Sequence, residues 1–234
     1  MIDKDLLKQY ADAIGVPLDS AALERFDTYA ALLVEWNRKM NLTAITAPEE
    51  IVIKHFIDSL VLLPFTEPAE GARVIDVGTG AGFPGIPLLI ARNDIRLTLA
   101  DALNKRLVFL EEVLAACGLH AATVHARAEE LGNDERFRET YDLAVARAVA
   151  PLNVLSEYCL PFVKVGGSFL AMKGTQEDMA SAERAVKALG GEIERTVSYE
   201  LPNGDGRSMI LIKKISQTST RYPRKSKKIA SAPL

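Results

Sequence analysis

Apolar positions recur at helical spacing through about the first 65 residues and then change rhythm. Leu6, Leu7, Tyr10 and Ile14 predict a helix over 3–14, stopped by Gly15 and Pro17. Leu23, Phe26, Tyr29, Ala30, Leu33 and Trp36 predict a second, capped by Asp19 or Ser20. A third opens near Pro48 and holds Ile51, Ile53, His55, Phe56, Asp58, Ser59, Leu60 and Leu62, with Pro64 and Pro68 expected to end it. From Ala72 onward, short apolar blocks alternate with helical stretches. The blocks at 73–77, 96–101, 122–125, 141–146 and 168–172 predict strands. Helices are expected at 86–91, at 104–117 before Gly118, from Pro151 to about Val165, and at 176–189. Two last strands, 194–201 and 208–214, flank Pro202-Asn-Gly-Asp-Gly206, the chemistry of a hairpin turn. Strand–helix units followed by a hairpin predict an α/β fold.

The centre of this pattern is Arg73 to Ala91. Val74 to Val77 reads as a buried strand holding one carboxylate, Asp76. Gly78, Gly80, Gly82 and Gly85 follow, and then a helix. Strand, glycine turn and helix form the ligand-binding corner of an open sheet. Glycines permit positive φ and let a ligand approach the backbone. Gly80-Ala-Gly82-Phe-Pro-Gly85 matches the dinucleotide pattern G-x-G-x-x-G. Two details weigh against a pyrophosphate: the carboxylate of Asp76 just before the turn, and Pro84 and Pro87, which remove N–H groups from the helix start. A cationic ligand without phosphates accepts both, and S-adenosylmethionine is one. The D-x-G-x-G-x-G run is similar to the first motif of the class I methyltransferases. A nicotinamide-linked oxidoreductase stands as the alternative.

Asp101 ends the second strand, placed to accept from the two ribose hydroxyls of an adenosine ligand. Ala128-Glu129-Glu130 follows the third strand, where methyltransferases hold adenine; a helix cap is the plain alternative. Arg147 ends the fourth strand, where acceptor meets methyl group, and an interdomain salt bridge is its other reading. The chain lacks the Asn/Asp-Pro-Pro-aromatic run of amine methyltransferases, and Cys117 and Cys159 fall away from the strand tips, so a cysteine nucleophile is not expected. An acceptor with its own free lone pair remains, such as guanine N7, for which alignment suffices without a general base. His55 and Asp58 share one helix face, where a hydrogen-bonded structural histidine is the plainer reading. No His/Cys/Asp spacing suggests a metal.

Composition bounds these readings. The chain has 234 residues, 48% hydrophobic and 25% charged, with a net charge of −3 and two cysteines. This is the composition of a globular protein in a reducing compartment. No apolar run approaches the roughly 20 residues of a membrane span, and MIDKDLLKQY lacks the apolar core of a signal peptide. A cytoplasmic protein without membrane contact is expected. After Asp205, the last acidic residue, come Arg207, Lys213, Lys214, Arg221, Arg224, Lys225, Lys227 and Lys228. Such a run neutralises phosphates. The tail past Ile215 has few groups to bury and is expected to be mobile in the free protein.

Asn37-Arg38-Lys39-Met40-Asn41-Leu42-Thr43, His55-Phe-Ile-Asp58-Ser-Leu60, Asp76-Val-Gly-Thr-Gly-Ala-Gly-Phe-Pro-Gly85, Arg147-Ala148 and Met172-Lys173-Gly174 together resemble the RsmG (GidB) family, as does Tyr222-Pro-Arg-Lys225. The resemblance spans nearly the whole chain. It implies a bacterial 16S ribosomal RNA methyltransferase that makes 7-methylguanosine in the helix 18 loop. It implies cofactor contacts at Gly78, Phe83, Ala128, Glu129 and Arg147; from the residues alone Phe83 reads as core. The expected organisation is a helical extension at 1–68, a Rossmann-like class I methyltransferase domain with a mostly parallel seven-stranded sheet at 69–215, and a basic flexible tail at 216–234. The expected cofactor pocket comprises Asp76, Gly78, Gly80, Gly82, Phe83, Asp101, Ala128, Glu129 and Arg147, with Arg147 nearest the chemistry. Charge and position assign Arg38, Lys39, His55, Lys173, Arg207, Arg224 and Lys225 to the RNA. A monomer acting on 16S RNA, within the small ribosomal subunit, is expected. A non-catalytic RNA-binding module on the same fold is the remaining alternative.

Overall fold

The computed structural model describes residues 1–147, 150–174 and 178–234. Ala148 and the expected helix start at Gln176 lie outside the described residues. Helices α1 (Lys4–Ala13) and α2 (Ser20–Asn37) come first, and the carboxylates of Asp3 and Asp19 accept from the amides of Leu6 and Ala22 to cap them. Next come α3 (Pro48–Ile51), a π-helical turn (Val52–Ile57), α4 (Asp58–Leu60) and α5 (Leu63–Thr66). Pro64 does not end this helical run as expected. It sits in the first turn of α5, where its missing N–H has no partner to lose, and Glu67 at φ 38° makes the stop instead.

The sheet then follows: β1 (Arg73–Val77), α6 (Gly85–Ala91), β2 (Arg96–Asp101), α7 (Asn104–Cys117), β3 (Ala122–His125), α8 (Ala128–Leu131), β4 (Tyr141–Arg147), α9 (Leu152–Cys159), β5 (Val163–Lys173), α10 (Met179–Ala188), β6 (Gly191–Glu200) and β7 (Gly206–Lys214). Strand order is β3-β2-β1-β4-β5-β7-β6, with β1 to β5 parallel and β7 antiparallel to both of its neighbours. This is the mostly parallel seven-stranded sheet expected from the sequence. The helix from Pro151 stops short of Val165. Pro161 cannot donate to the carbonyl four residues back, so a 3₁₀ turn (Leu160–Phe162) intervenes and β5 begins at Val163. Tyr141 pairs with Val163 and Leu143 with Ser168, so residues 164–167 bulge out of β5, with Gly166 at φ 87°.

Each central strand buries both faces, and alternation sorts its side chains. Val74, Leu143, Val145, Leu170 and Met172 join α1, α2, α6 and α7 in one core. Ile75, Val77, Ala144, Ala146, Phe169 and Ala171 join α9 and α10 in the other. The helices before β1 therefore share a core with one face of the sheet. By the same period of two, Asp76, Asp101 and Arg147 fall on that face, toward the N-terminal helices.

The tail differs from the mobile segment expected. Arg138 donates to the carbonyls of Thr218 (2.6 Å) and Tyr222 (2.8 Å), Thr218 Oγ1 donates to Leu189 O (2.7 Å), and Tyr222 and Ile229 are buried. A last helix, α11 (Ser226–Ser231), lies beyond Arg224. Composition hid this because the ties run to backbone carbonyls and to one buried carboxylate, Glu157, on α9.

Candidate active site

The C-terminal ends of β1, β2 and β4 open into a cavity of about 540 Å³. Its floor is the turn after β1, where Gly78 and Gly80 take φ 70° and 60°. Asp76 lies beneath the turn, fully buried. Its Oδ2 accepts from Thr79 Oγ1 (2.7 Å) and Gly85 N (2.9 Å), while Oδ1 has no partner among the described residues. Burial raises its pKa to about 6 against those two hydrogen bonds, which lower it. Gly82, at φ 99°, faces away from the cavity: a Cβ there would sit 2.7 Å from the Tyr29 hydroxyl, which itself donates to Ala81 O. Asp76 and Gly82 thus shape the turn without lining the cavity, a correction to the expected contact set.

At the far end, Asp101 Oδ2 accepts from Gly80 N (2.9 Å) and Arg106 Nη1 (3.2 Å), and Oδ1 accepts from Leu103 N (2.8 Å). One lone-pair site stays open on this carboxylate, and the longer Arg106 bond is the one a ribose hydroxyl can displace. Ala126 to Glu129, Tyr158 and Ser226 complete this end. S-adenosylmethionine fits these residues. It brings a ribose for Asp101 and net positive charge over the buried Asp76, and it asks nothing of the two prolines at α6.

Near β4 the cavity meets a second one of about 330 Å³, lined by Lys54, Asp58, Lys173, Tyr199 and Arg207 among others. His55 and Arg147 line both and form the partition. The π turn carries His55 to this position, where its ring stacks on Phe83 at 4.3 Å and 14°. The Arg147 guanidinium lies 4.8 Å from the Phe83 ring and donates to Lys54 O (3.1 Å), Asp58 Oδ2 (3.0 Å) and His55 Nδ1 (3.2 Å). Asp58 Oδ1 accepts from the Tyr199 hydroxyl (2.9 Å), with Arg207 Nε at 3.7 Å.

These contacts fix protonation. Arginine has no acceptor, so His55 Nδ1 must accept, leaving the proton on Nε2 to be donated to Thr43 Oγ1 (2.9 Å). Burial, then the Arg147 charge, drives the His55 pKa down to about 3, so the ring is neutral. Its lone pair is occupied, and each Asp58 oxygen accepts one hydrogen bond.

Of the expected cofactor residues, Gly78, Gly80, Phe83, Asp101, Ala128, Glu129 and Arg147 line the larger cavity. Arg147 lines the cavity and also ion-pairs to the N-terminal segment through Asp58. Among the expected RNA residues, Arg38 and Lys39 are exposed, a few positions before Leu42 and Thr43 at the cavity wall. Lys173 and Arg207 line the smaller cavity, and Lys173 donates to Ala150 O (2.5 Å). Lys225 is exposed. His55 is buried in the partition, not on an open surface. Arg224 is held against Glu157, so its charge is already matched. Thr43, Tyr158, Tyr199 and Ser226 were not singled out from the sequence. The His55-x-x-Asp58 spacing was the one signal that pointed at Asp58.

Both cysteines are buried, and burial raises the Cys117 thiol to about 11 and that of Cys159 well above its usual value. Neither lines either cavity. A Cys117→Ala, Cys159→Ala double variant is expected to keep methyl transfer within the same order of magnitude, measured after confirming its fold. Abolished transfer by a folded variant would reinstate a thiol nucleophile.

Comparison with known proteins bears on this geometry. Residues 22–203 match the family model of GidB, described as rRNA small subunit methyltransferase G. A protein of Acetivibrio thermocellus named ribosomal RNA small subunit methyltransferase G is 51% identical over 234 residues, covering 99% of this chain and 96% of its own length. One of the same name from Alkaliphilus oremlandii is 49% identical over 235 residues, covering 99% and 98%. Among solved structures, TrmN from Thermus thermophilus superposes with a TM-score of 0.55 at 21% identity, over 68% of this chain and 48% of that one, a likeness of fold.

Proposed function

The chain belongs to the GidB family, the rRNA small subunit methyltransferases G, and from that premise we propose its reaction. It transfers the methyl group of S-adenosylmethionine to N7 of a guanine in the helix 18 loop of 16S ribosomal RNA. It does so as a cytoplasmic monomer acting on RNA within the small subunit. Bound in the larger cavity, the cofactor supplies an electrophilic methyl on a sulfonium leaving group. Asp101 would hold the ribose, Ala128 and Glu129 the adenine, and the turn at Gly78 and Gly80 the methionyl end. The buried Asp76 charge favours a cation above it.

The single observation supporting N7 is the occupancy of the partition. The His55 lone pair accepts from Arg147 and both Asp58 oxygens accept protein hydrogen bonds, so the His55 ring has no lone pair left for an acceptor's proton and Asp58 is engaged in holding the partition. Guanine N7 offers a lone pair with no proton to remove. The bound cofactor would supply the methyl to that lone pair, with sulfur as the leaving group that takes the carbon–sulfur electron pair. Arg147 and His55 hold the base edge in line, and the effect is one of proximity and orientation. Lys173 and Arg207 sit at the smaller cavity to meet a phosphate or base edge, with Arg38, Lys39 and Lys225 on the outer surface for phosphates. Arg224 is withdrawn from that set by its ion pair.

The test is methyl transfer from labelled S-adenosylmethionine to small ribosomal subunits and to protein-free 16S RNA, followed by nucleoside mass spectrometry. A 7-methylguanosine product is expected. Another methylated nucleoside would overturn the N7 argument. No product, with cofactor bound, would favour an RNA-binding protein that has lost its chemistry.

A further inference from the structure

We propose that the C-terminal segment is part of the cofactor site: Ser226 contacts the nucleoside end of the ligand, and the Arg224–Glu157 ion pair positions it. The inference needs S-adenosylmethionine as the ligand of the larger cavity but not guanine as the acceptor. It begins from Ser226, which lines the same cavity as Arg127, Ala128, Glu129 and Tyr158 although it lies far from them in sequence. A terminal segment of lysines, arginines and prolines would ordinarily be free. Here three ties hold it in register with the residues it joins at the cavity.

The first tie is a fork. Arg224 Nε and Nη2 donate to the two oxygens of Glu157 at 2.8 and 2.6 Å, and the Arg224 amide donates to Oε1 at 2.8 Å. Glu157 is fully buried, so this carboxylate requires a fixed cation. Its chain neighbour Tyr158 lines the cavity. The second tie is Asn133, whose Nδ2 donates both to Glu129 O (2.8 Å) and to Pro223 O (3.1 Å). One side chain thus spaces the segment from the helix that carries Ala128 and Glu129. The third is packing. Ile229 is fully buried, and a Cβ at Gly132 would meet Pro223 Cγ at 3.1 Å, so the segment seats closely. Arg224 Nη1 also donates to Ala232 O (3.0 Å) and holds the end of α11 on the same guanidinium.

The consequence is a division of labour different from the one charge alone suggests. Arg224 faces inward and sets the wall, while Lys225, Lys227 and Lys228 stay exposed on its outer side. Substitutions separate the two roles. Ser226 is only partly buried, so Ser226→Phe is compatible with folding and places a ring at the nucleoside end. Binding of S-adenosylhomocysteine and of methylthioadenosine, which lacks the amino-acid end, is measured by calorimetry on the full chain, with thermal unfolding alongside. Ser226→Phe is expected to weaken both ligands at least about tenfold and by similar factors, with an unchanged unfolding temperature. Arg224→Ala is expected to weaken both by about three- to tenfold at temperatures where it is fully folded. A purely structural Arg224 would lower the unfolding temperature and leave the folded protein's affinity alone.

Wild-type protein that fails to bind S-adenosylhomocysteine would bring down the cofactor reading itself. Wild-type binding matched by both variants would overturn this inference alone. So would a loss confined to S-adenosylhomocysteine, which would place the contact at the amino-acid end. Normal ligand binding with weakened RNA affinity would return the segment to the RNA surface.

Discussion

Arg147→Ala is expected to lower kcat/KM for methyl transfer by at least about 1,000-fold and folding stability by about 3 kcal/mol. Both follow from one guanidinium serving three acceptors at a buried junction. Without it, the Asp58 carboxylate keeps the Tyr199 hydroxyl and the looser Arg207 ion pair at 3.7 Å but loses the cation hydrogen-bonded to Oδ2. A buried charge stripped of its partner is costly, whereas the intact pair need not be strongly stabilising. His55 Nδ1 loses its donor at the same time, and with it the contact that fixes the ring's tautomer. Arg147→Lys separates stability from catalysis. An ammonium can neutralise Asp58 but cannot donate in a planar fork to Asp58, His55 and Lys54 O together. Most of the stability is expected to return, with transfer still at least about 100-fold down. Thermal unfolding and steady-state kinetics on both variants check this. A lysine variant with wild-type transfer would show that charge, not geometry, is what Arg147 supplies.

Asp76→Asn is expected to move stability and cofactor affinity in opposite directions at pH 7.5. The buried carboxyl titrates near pH 6 in the native protein, against 3.8 for an unperturbed group. The folded state therefore holds this proton more tightly than the unfolded state does. Stability falls as pH rises from about 4 to 6 and stays lowered above, by an amount on the order of 3 kcal/mol. Asparagine removes that charge while its carbonyl oxygen can still accept from Thr79 and Gly85. Its amide takes the place of the unpartnered Oδ1 and is itself unsatisfied, a penalty of about 1–3 kcal/mol. The expected net result is a gain of about 1 kcal/mol at pH 7.5 and a loss at pH 4.5, where aspartic acid is already neutral. Binding of the cationic cofactor is expected to weaken about tenfold in the variant, and in wild-type protein as pH falls through 6. S-adenosylmethionine, with its extra sulfonium charge, loses more than S-adenosylhomocysteine. Unfolding scans at the two pH values and calorimetry with both ligands decide it. A variant that binds S-adenosylmethionine as tightly as wild type would remove Asp76 from the binding argument.

How far these features could be read from residues alone depends on how local their causes are. β1, β2 and β3 were legible to the residue because alternation, glycine turns and flanking polar residues lie within each block. The glycine turn was legible as a ligand corner for the same reason. The bulge opposite Asp142 was not, since it depends on how β5 meets β4. Nor was the partner of Asp58: Tyr199 is 141 positions away and is delivered by a hairpin whose placement no local pattern dictates. The ion pair of Arg224 was not legible because a basic side chain in a polar run carries no mark of the buried glutamate 67 positions earlier. That Gly82 and Asp76 lie off the cavity lining was not legible, because spacing does not show which side of a turn faces a cavity.

The larger cavity takes wall residues from Leu42 through to Ser226, so its wall joins segments far apart along the chain. Displacing the last helix from α9 is therefore expected to open the nucleoside end while the glycine turn and the strand ends keep their form.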